Sequence, residues 1–194
     1  MKASLIGCNK RGVVLAGPSS SGKGTMIQKL KTDYPFFKHS VSHTTRLPRV
    51  GEVHGVHYFF VSDDEFNTLE EQGAFIETAR VHTYRYGTSY AAVEALITDG
   101  FVPLLDIDVQ GVRSMRKASL DFLFIFMYAP LDVLKVRLLN RGTETPDTLA
   151  VRLQTASKEL AILNTEPSLF DEIMLNEGSI DDGYTKLKAL IGLR

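Results

Sequence analysis

Four groups of residues have types and spacings suited to chemistry. The first is Gly17-Pro18-Ser19-Ser20-Ser21-Gly22-Lys23-Gly24-Thr25. Its Gly17-x4-Gly22-Lys23 spacing matches a phosphate-binding loop, whose glycines let backbone N–H groups crowd around phosphate oxygens while the lysine reaches the outer phosphates. The apolar run before it (13–16) and the helix-permissive segment after it (25–34) complete a strand, loop and helix, and the helix adds a positive dipole end. Gly24 stands where a Ser or Thr hydroxyl would touch Mg2+, and Thr25 is one residue late. Mg2+ keeps several of its waters in most sites, so phosphates and water suffice to hold it. A serine-rich turn is the plain alternative, and the motif alone names a nucleoside triphosphate and no reaction.

The second group is the polar, turn-rich stretch 42–52, with Arg46 and Arg49 three apart. It is either a solvated loop with scattered charge or a phosphate clamp, since a guanidinium fork matches phosphate oxygens bidentately. The third is Asp106 and Asp108, whose spacing of two puts both carboxylates on one side if the chain is still extended. The fourth is Arg137, Arg141 and Arg152, which by themselves read as a solvated helix face.

The elements that must position these groups follow from the pattern. Helix 25–34 precedes a short strand at 36–41. A strand of aromatic and β-branched residues follows at 57–61. The capping box Ser62-Asp63-Asp64-Glu65 starts a helix ended by Gly73. A strand at 75–81, a turn at 84–87 and a helix at 90–99 give residues 42–90 the character of a β-rich insertion. Strand 102–106 tolerates Pro103 only near its start. A short helix at 110–117 leads to the apolar run 122–128, typical of a buried parallel strand. Helix 130–139, a link at 141–147, a helix capped by Thr145 and begun by Pro146, a strand at 172–175 and a helix at 180–193 complete the chain. The expected fold is α/β, a P-loop NTPase core whose parallel five-stranded sheet is flanked by helices, with the β-rich insertion; the resemblance given below implies a helical lid as well.

At 194 residues and 44% hydrophobic, the chain suits one sizeable domain. A net charge of −1 with mixed signs gives no footprint for nucleic acid. The single cysteine, Cys8, fits a reducing compartment, and the residues before it read as a disordered leader too short for an export signal. No apolar run reaches the roughly 18 to 20 residues of a membrane span. The five histidines have no metal-ligand spacing and are read as surface or packed residues.

Taken together and in order, the phosphate loop, Ser42-His43-Thr44-Thr45-Arg46 with Pro48-Arg49 and Gly51-Glu52, Asp106-Ile107-Asp108-Val109-Gln110-Gly111 and Arg141-Gly142-Thr143-Glu144-Thr145 resemble the guanylate kinase family over about residues 12 to 190. The resemblance implies a core (10–41, 91–139 and 157–194), a GMP-binding region (42–90) and a lid (140–156). It implies ATP-dependent phosphorylation of GMP and dGMP with Mg2+, in a cytoplasmic monomer or homodimer without nucleic-acid or membrane partners. It puts ATP on residues 17–25 and Asn176, and the GMP phosphate on Ser42, Arg46, Arg49, Tyr58 and Tyr86. The guanine falls to Glu77, Thr88 and Asp108, and Mg2+ to Asp106 through water. Lys23, Arg46, Arg137, Arg141 and Arg152 are implied to carry the charge developed in transfer. A carboxylate suits the N1–H and N2–H donors of guanine, and O6 wants a hydroxyl donor. The sequence departs from the family pattern at Ser20 and Gly24, at Arg85 beside Tyr86, and at Glu177 after Asn176. Two rivals stay open here: a non-catalytic relative that binds a phosphorylated peptide, and a kinase for another phosphorylated small molecule.

Overall fold

The run Val13-Val14-Leu15-Ala16 is apolar without alternation, the pattern of a strand covered on both faces, and all four residues are buried. The computed structural model describes residues 10–81, 83–140, 142 and 145–193; the expected leader, His82, Arg141 and most of the link at 141–144 lie outside the described residues. In chain order the elements are β1 (Val13–Ala16), α1 (Lys23–Asp33), β2 (Phe37–His39), β3 (His43–Thr44), β4 (Phe59–Phe60), α2 (Asp63–Glu71), β5 (Phe75–Val81) and β6 (Tyr84–Ser89). They continue with α3 (Tyr90–Thr98), β7 (Val102–Asp106), α4 (Val109–Lys117), β8 (Leu123–Tyr128), α5 (Leu131–Asn140), α6 (Pro146–Thr165), β9 (Glu172–Leu175) and α7 (Ile180–Ile191).

Strands β2, β7, β1, β8 and β9 form, in that order, a five-stranded sheet in which every pair is parallel. Alternate residues of β1 feed opposite layers. Val13 and Leu15 pack with Met26 and Leu30 of α1 and Leu187 and Ile191 of α7, while Val14 and Ala16 pack with Val112 and Met115 of α4. Each large side chain so buried is worth about 1.5–3 kcal/mol. The loops after β1 and β7, at the C-terminal ends of the central strands, carry the phosphate loop and the Asp106/Asp108 pair, the place where open α/β sheets bind ligands.

A second sheet, in the order β4-β3-β6-β5, is built within residues 43–89. Residues 84–87, expected to turn, belong instead to β6. This strand is paired on both sides, to β3 and to β5, and two ladders outweigh the local turn preference of Gly87. That glycine is needed for packing, because a Cβ there would lie 2.8 Å from the Phe75 ring.

Other boundaries moved for local reasons. Helix α1 starts at Lys23, with Gly22 as a left-handed N-cap at φ 106°. The strand expected at 57–61 shrinks to Phe59–Phe60 because residues 53–57 wind into a turn, with His57 N–H donating to the Val53 carbonyl at 3.0 Å. The capping boxes at Ser62 and Thr145 form as the sequence suggests. Helix α6 is unbroken over 20 residues, so the expected boundary between lid and core at 156/157 falls inside it. Just past its C-terminal end, Glu166 receives two hydrogen bonds from Arg113 of α4, the shorter 2.6 Å.

Candidate active site

Gly17 ends β1 with φ 127°, and any side chain there would place its Cβ 2.1 Å from the Met127 carbonyl oxygen of β8. Only glycine lets the loop run this close to the sheet. Ser20 also has positive φ, 66°, at a cost of about 1 kcal/mol for a residue with a Cβ. The loop is latched from behind by Asn176, 4% exposed, whose Nδ2 donates to the Ser21 carbonyl at 2.7 Å. Lys23 Nζ curls back over its own loop, donating to the carbonyls of Gly17 (2.6 Å) and Pro18 (3.1 Å), and lies 3.7 Å from Asp106 Oδ1. Arg152 of α6 donates to Ser19 Oγ at 3.1 Å, and Arg137 of α5 lies 3.4 Å from the carbonyls of Ser20 and Ser21. Thus two of the three arginines expected in the lid reach the loop, and Arg141 lies outside the described residues.

A cavity of about 230 Å³ is lined by Ser19, Ser20, Gly22, Lys23, Gly24, Thr25 and Asp106. Beside it, about 210 Å³ lies between Ser20, Gly22, Thr25, Met26, Arg137 and Asn176, closed by Gly178 and Ile180. Across β7 a cleft of about 460 Å³ is lined by Ser42, Tyr58, Glu77, Tyr86, Asp106 and Asp108, together with Ala79, Ile107, His39 and His57. Asp106 therefore faces the loop cavity and the larger cleft at once. Desolvation pushes its carboxyl up, and the Lys23 charge pulls the other way.

Residues expected to meet guanine are brought together, with their hydrogen bonds partly spent. Glu77 is 9% exposed on β5, and its Oε1 accepts from the Thr88 N–H (3.1 Å) and the Thr88 hydroxyl (2.6 Å). The one hydroxyl proton of Thr88 is thus committed to Glu77, which differs from the expectation of a donor to O6. Among the described residues no hydrogen bond is made to Glu77 Oε2. Burial pushes the Glu77 carboxyl above its ordinary range, the Thr88 hydroxyl opposes this, and the Asp108 charge adds to it. Asp108 caps α4, its Oδ1 accepting from Gly111 N–H at 2.8 Å. Asp108 also lines the cleft.

Of the expected phosphate ligands, Ser42, Tyr58 and Tyr86 line the cleft, whereas the arginines do not. Arg46 is 9% exposed, and both its Nη atoms donate to Glu52 (2.9 and 2.8 Å), with Nη1 also on the Leu47 carbonyl at 2.8 Å. Its guanidinium lies over the Tyr58 and Phe60 rings, 5.4 and 5.8 Å from their centroids. Glu52 is pulled down to about 2, first by Arg46 and next by the backbone N–H of Arg49. The Arg49 side chain is exposed, outside the cleft.

Three residues were missed by sequence reasoning. His39 and His57, set aside for want of metal-ligand spacing, both line the cleft. Glu159 of α6 sits two turns beyond Arg152 on the same helix face. Burial pushes its carboxyl up; Lys23 opposes that shift, and Asp108 and Asp106 reinforce it. The seven-residue spacing from Arg152 was the signal available for it.

A family model described as guanylate kinase matches residues 9–193. The chain belongs to the guanylate kinase family. It is 44% identical over 191 residues to guanylate kinase 1 of Oryza sativa subsp. japonica, covering 97% of this chain and 50% of that protein. It is also 44% identical over 180 residues to the guanylate kinase of Sus scrofa, covering 92% and 90%. The chain spans about half the length of the two plant guanylate kinases it matches. Among solved structures, guanylate kinase from Anaplasma phagocytophilum superposes with a TM-score of 0.64 at 30% identity, over 93% of this chain and 85% of that one. The SH3-kinase fragment of tight junction protein 3 shares the fold, with a TM-score of 0.53 at 17% identity, over 98% of this chain and 58% of that one.

Proposed function

We propose that this guanylate kinase family member transfers the γ-phosphoryl group of ATP to GMP, giving ADP and GDP, and accepts dGMP by the same contacts. One observation supports this above the others: Asp106 lines both the loop cavity and the larger cleft, with Lys23 Nζ 3.7 Å away on the loop side. Two anion sites that open onto one carboxylate are spaced for direct transfer between their occupants.

In this reading residues 17–25 hold the ATP phosphates, with Asn176 keeping the loop in shape. Lys23 exchanges the Gly17 and Pro18 carbonyls for phosphate oxygens. Ser42, Tyr58 and Tyr86 meet the GMP phosphate from within the cleft, and Arg46 and Arg49 meet it as they turn inward. Glu77 Oε2 and the free oxygen of Asp108 take the N1–H and N2–H donors of guanine, and Thr88 fixes the Glu77 carboxylate. A phosphate oxygen of GMP attacks the γ-phosphorus, the bond to the bridging β-oxygen breaks, and ADP leaves with the electron pair. Lys23, Arg46, Arg137, Arg141 and Arg152 spread the charge that develops on the transferred group.

The residues present fit a Mg2+ ion held mainly by phosphates and water. Among the described residues no three His, Cys, Asp or Glu side chains gather around a metal-sized space, while Asp106 and Thr25 line the loop cavity and a Cβ at Gly24 would meet nothing within 4 Å. Asp106 would hold the ion through water. When bound with ATP, it neutralises charge on the β- and γ-oxygens.

Among the described residues no helix is long and apolar enough to cross a membrane. We place the activity in the cytoplasm, a reducing compartment suited to a chain with one cysteine. The test is ADP release, coupled to a spectroscopic readout, with ATP-Mg and a panel of nucleoside monophosphates. GMP and dGMP are expected to support turnover far above AMP, CMP and UMP. Absence of GMP-dependent ADP would overturn the reading and favour a phosphopeptide-binding relative.

A further inference from the structure

The larger cleft holds three carboxylates, of Glu77, Asp106 and Asp108, and no lysine or arginine among its lining residues. The end near Ser42, Tyr58 and Tyr86 therefore offers a dianion hydroxyl donors, while Arg46 is held on Glu52 and on the Tyr86 hydroxyl. His57 lines that cleft next to Tyr58. Both backbone polar groups of Val53 hold it: Val53 N–H donates to the ring Nδ1 of His57 at 3.0 Å, and the backbone N–H of His57 donates to the Val53 carbonyl at 3.0 Å. Turning the ring over would put a carbon where Val53 needs an acceptor. With Nδ1 used as acceptor, the neutral imidazole carries its proton on Nε2. The hydrogen-bonding atom left to the cleft is thus an oriented Nε2–H donor.

We infer that His57 is a further binding residue for the GMP phosphate, donating Nε2–H to a phosphate oxygen beside the hydroxyls of Tyr58 and Tyr86. The inference rests on the reading that this cleft takes GMP. The phosphate is favoured over the base because the base end presents acceptors, Glu77 Oε2 and Asp108, to guanine donors, while an N–H at the hydroxyl end adds one more donor to the hydroxyls of Ser42, Tyr58 and Tyr86. The turn at 53–57 holds the ring before any ligand arrives, so little side-chain freedom is lost on binding.

The experiment is titration calorimetry of the wild-type protein, His57→Ala and His57→Gln with GMP and, separately, with guanosine. His57→Ala is expected to weaken GMP about ten-fold, the worth of one hydrogen bond to a charged group, and to leave guanosine unchanged within about two-fold. His57→Gln, whose amide keeps an N–H near the Nε2 position, is expected to recover most of the loss. Equal weakening of GMP and guanosine, or no weakening of GMP, would overturn the inference and leave the GMP reading intact. A wild-type protein that binds no GMP would overturn both. Should His57→Ala fail to fold, the wild-type imidazole decides alone by proton–nitrogen correlation spectra. GMP should shift the Nε2–H resonance downfield and slow its exchange with water; a resonance indifferent to GMP would sink the assignment.

Discussion

Replacing Glu77 by glutamine separates base recognition from every other function of the cleft. Oε1 of the carboxylate already accepts from the N–H and the hydroxyl of Thr88, at 3.1 and 2.6 Å, and Oε2 is left for the ligand. In the variant the amide oxygen must stay toward Thr88, because both Thr88 groups donate. The NH2 group then points into the cleft, where the N1–H and N2–H groups of guanine are donors as well. The loss of one charge-assisted hydrogen bond costs about 1.5–3 kcal/mol, and a buried donor left unpaired adds about 1–3 kcal/mol. The sum, about 2.5–6 kcal/mol, corresponds to a fall of about 10²- to 10⁴-fold in kcat/KM for GMP. The KM for ATP should change less than two-fold, and the ratio of AMP to GMP turnover should rise, since adenine N1 is an acceptor. Folding should not suffer. Burial raises the Glu77 carboxyl, so its contribution to stability is complete at low pH and lost as pH rises through its folded-state value. A neutral amide should therefore melt no lower than wild type at pH 8. The measurements are steady-state ADP release with GMP and AMP, and thermal melts. GMP turnover that survives the substitution, or a parallel rise in the KM for ATP, would refute the assignment of Glu77 to the base.

Three further outcomes follow from other residues. Lys23→Ala should lower turnover by about 10²- to 10³-fold, as loss of a preorganised charge does, with little change in melting temperature, because Lys23 donates to the carbonyls of its own loop and its ion pair with Asp106 is long, 3.7 Å. A near-normal rate would dismiss that role. Gly24→Ser meets no atom within 4 Å and restores a hydroxyl at the position where such loops usually touch Mg2+. The Mg2+ concentration for half-maximal rate should fall several-fold, and the melting temperature should rise slightly, since glycine inside a helix costs about 0.5–1 kcal/mol; a magnesium titration and a melt check both. Glu52 is depressed to about 2 by Arg46, so the stability it supplies is present above the ordinary carboxylate value and lost as pH falls toward 2. Wild-type melting temperature should therefore drop more steeply below pH 4.5 than that of Glu52→Gln, and parallel acid profiles would count against the pair.

The parts of the fold legible in the sequence are those where local chemistry and global position agree. The buried runs at 13–16 and 122–128, the Ser62 and Thr145 caps and the Gly17-x4-Gly22-Lys23 loop each carry their own instruction. Strand β6 was not legible because Gly87 and its polar neighbours read as a turn, and only pairing with β3 and β5 decides otherwise. In the site, the sequence pointed to residues that line the cavities, such as Lys23, Glu77, Asp106 and Asp108, and did not show what those residues bond to. Spacing of two put Asp106 and Asp108 on one side, but could not say that Asp108 spends an oxygen on capping α4. Nothing local tells that Thr88 donates to Glu77 across two strands, or that Glu52 holds Arg46. His39 and His57 were judged by metal spacing, a test with no bearing on a cleft wall made from separate loops.

The uninterrupted α6 is, mechanically, a lever. Glu166, just past its C-terminal end, is gripped by Arg113 of α4, which makes that end the natural fulcrum. With a rise of 1.5 Å per residue, Pro146 stands about 30 Å from it and Arg152 about 21 Å. A tilt of about 10° about the fulcrum then sweeps the Pro146 tip by about 5 Å and Arg152 by about 4 Å, while Glu159, about a third of the way from the fulcrum to the tip, travels about 2 Å. A small rocking of one rigid rod thus delivers graded displacements to the residues that face Lys23 and the serines before it, without bending the helix.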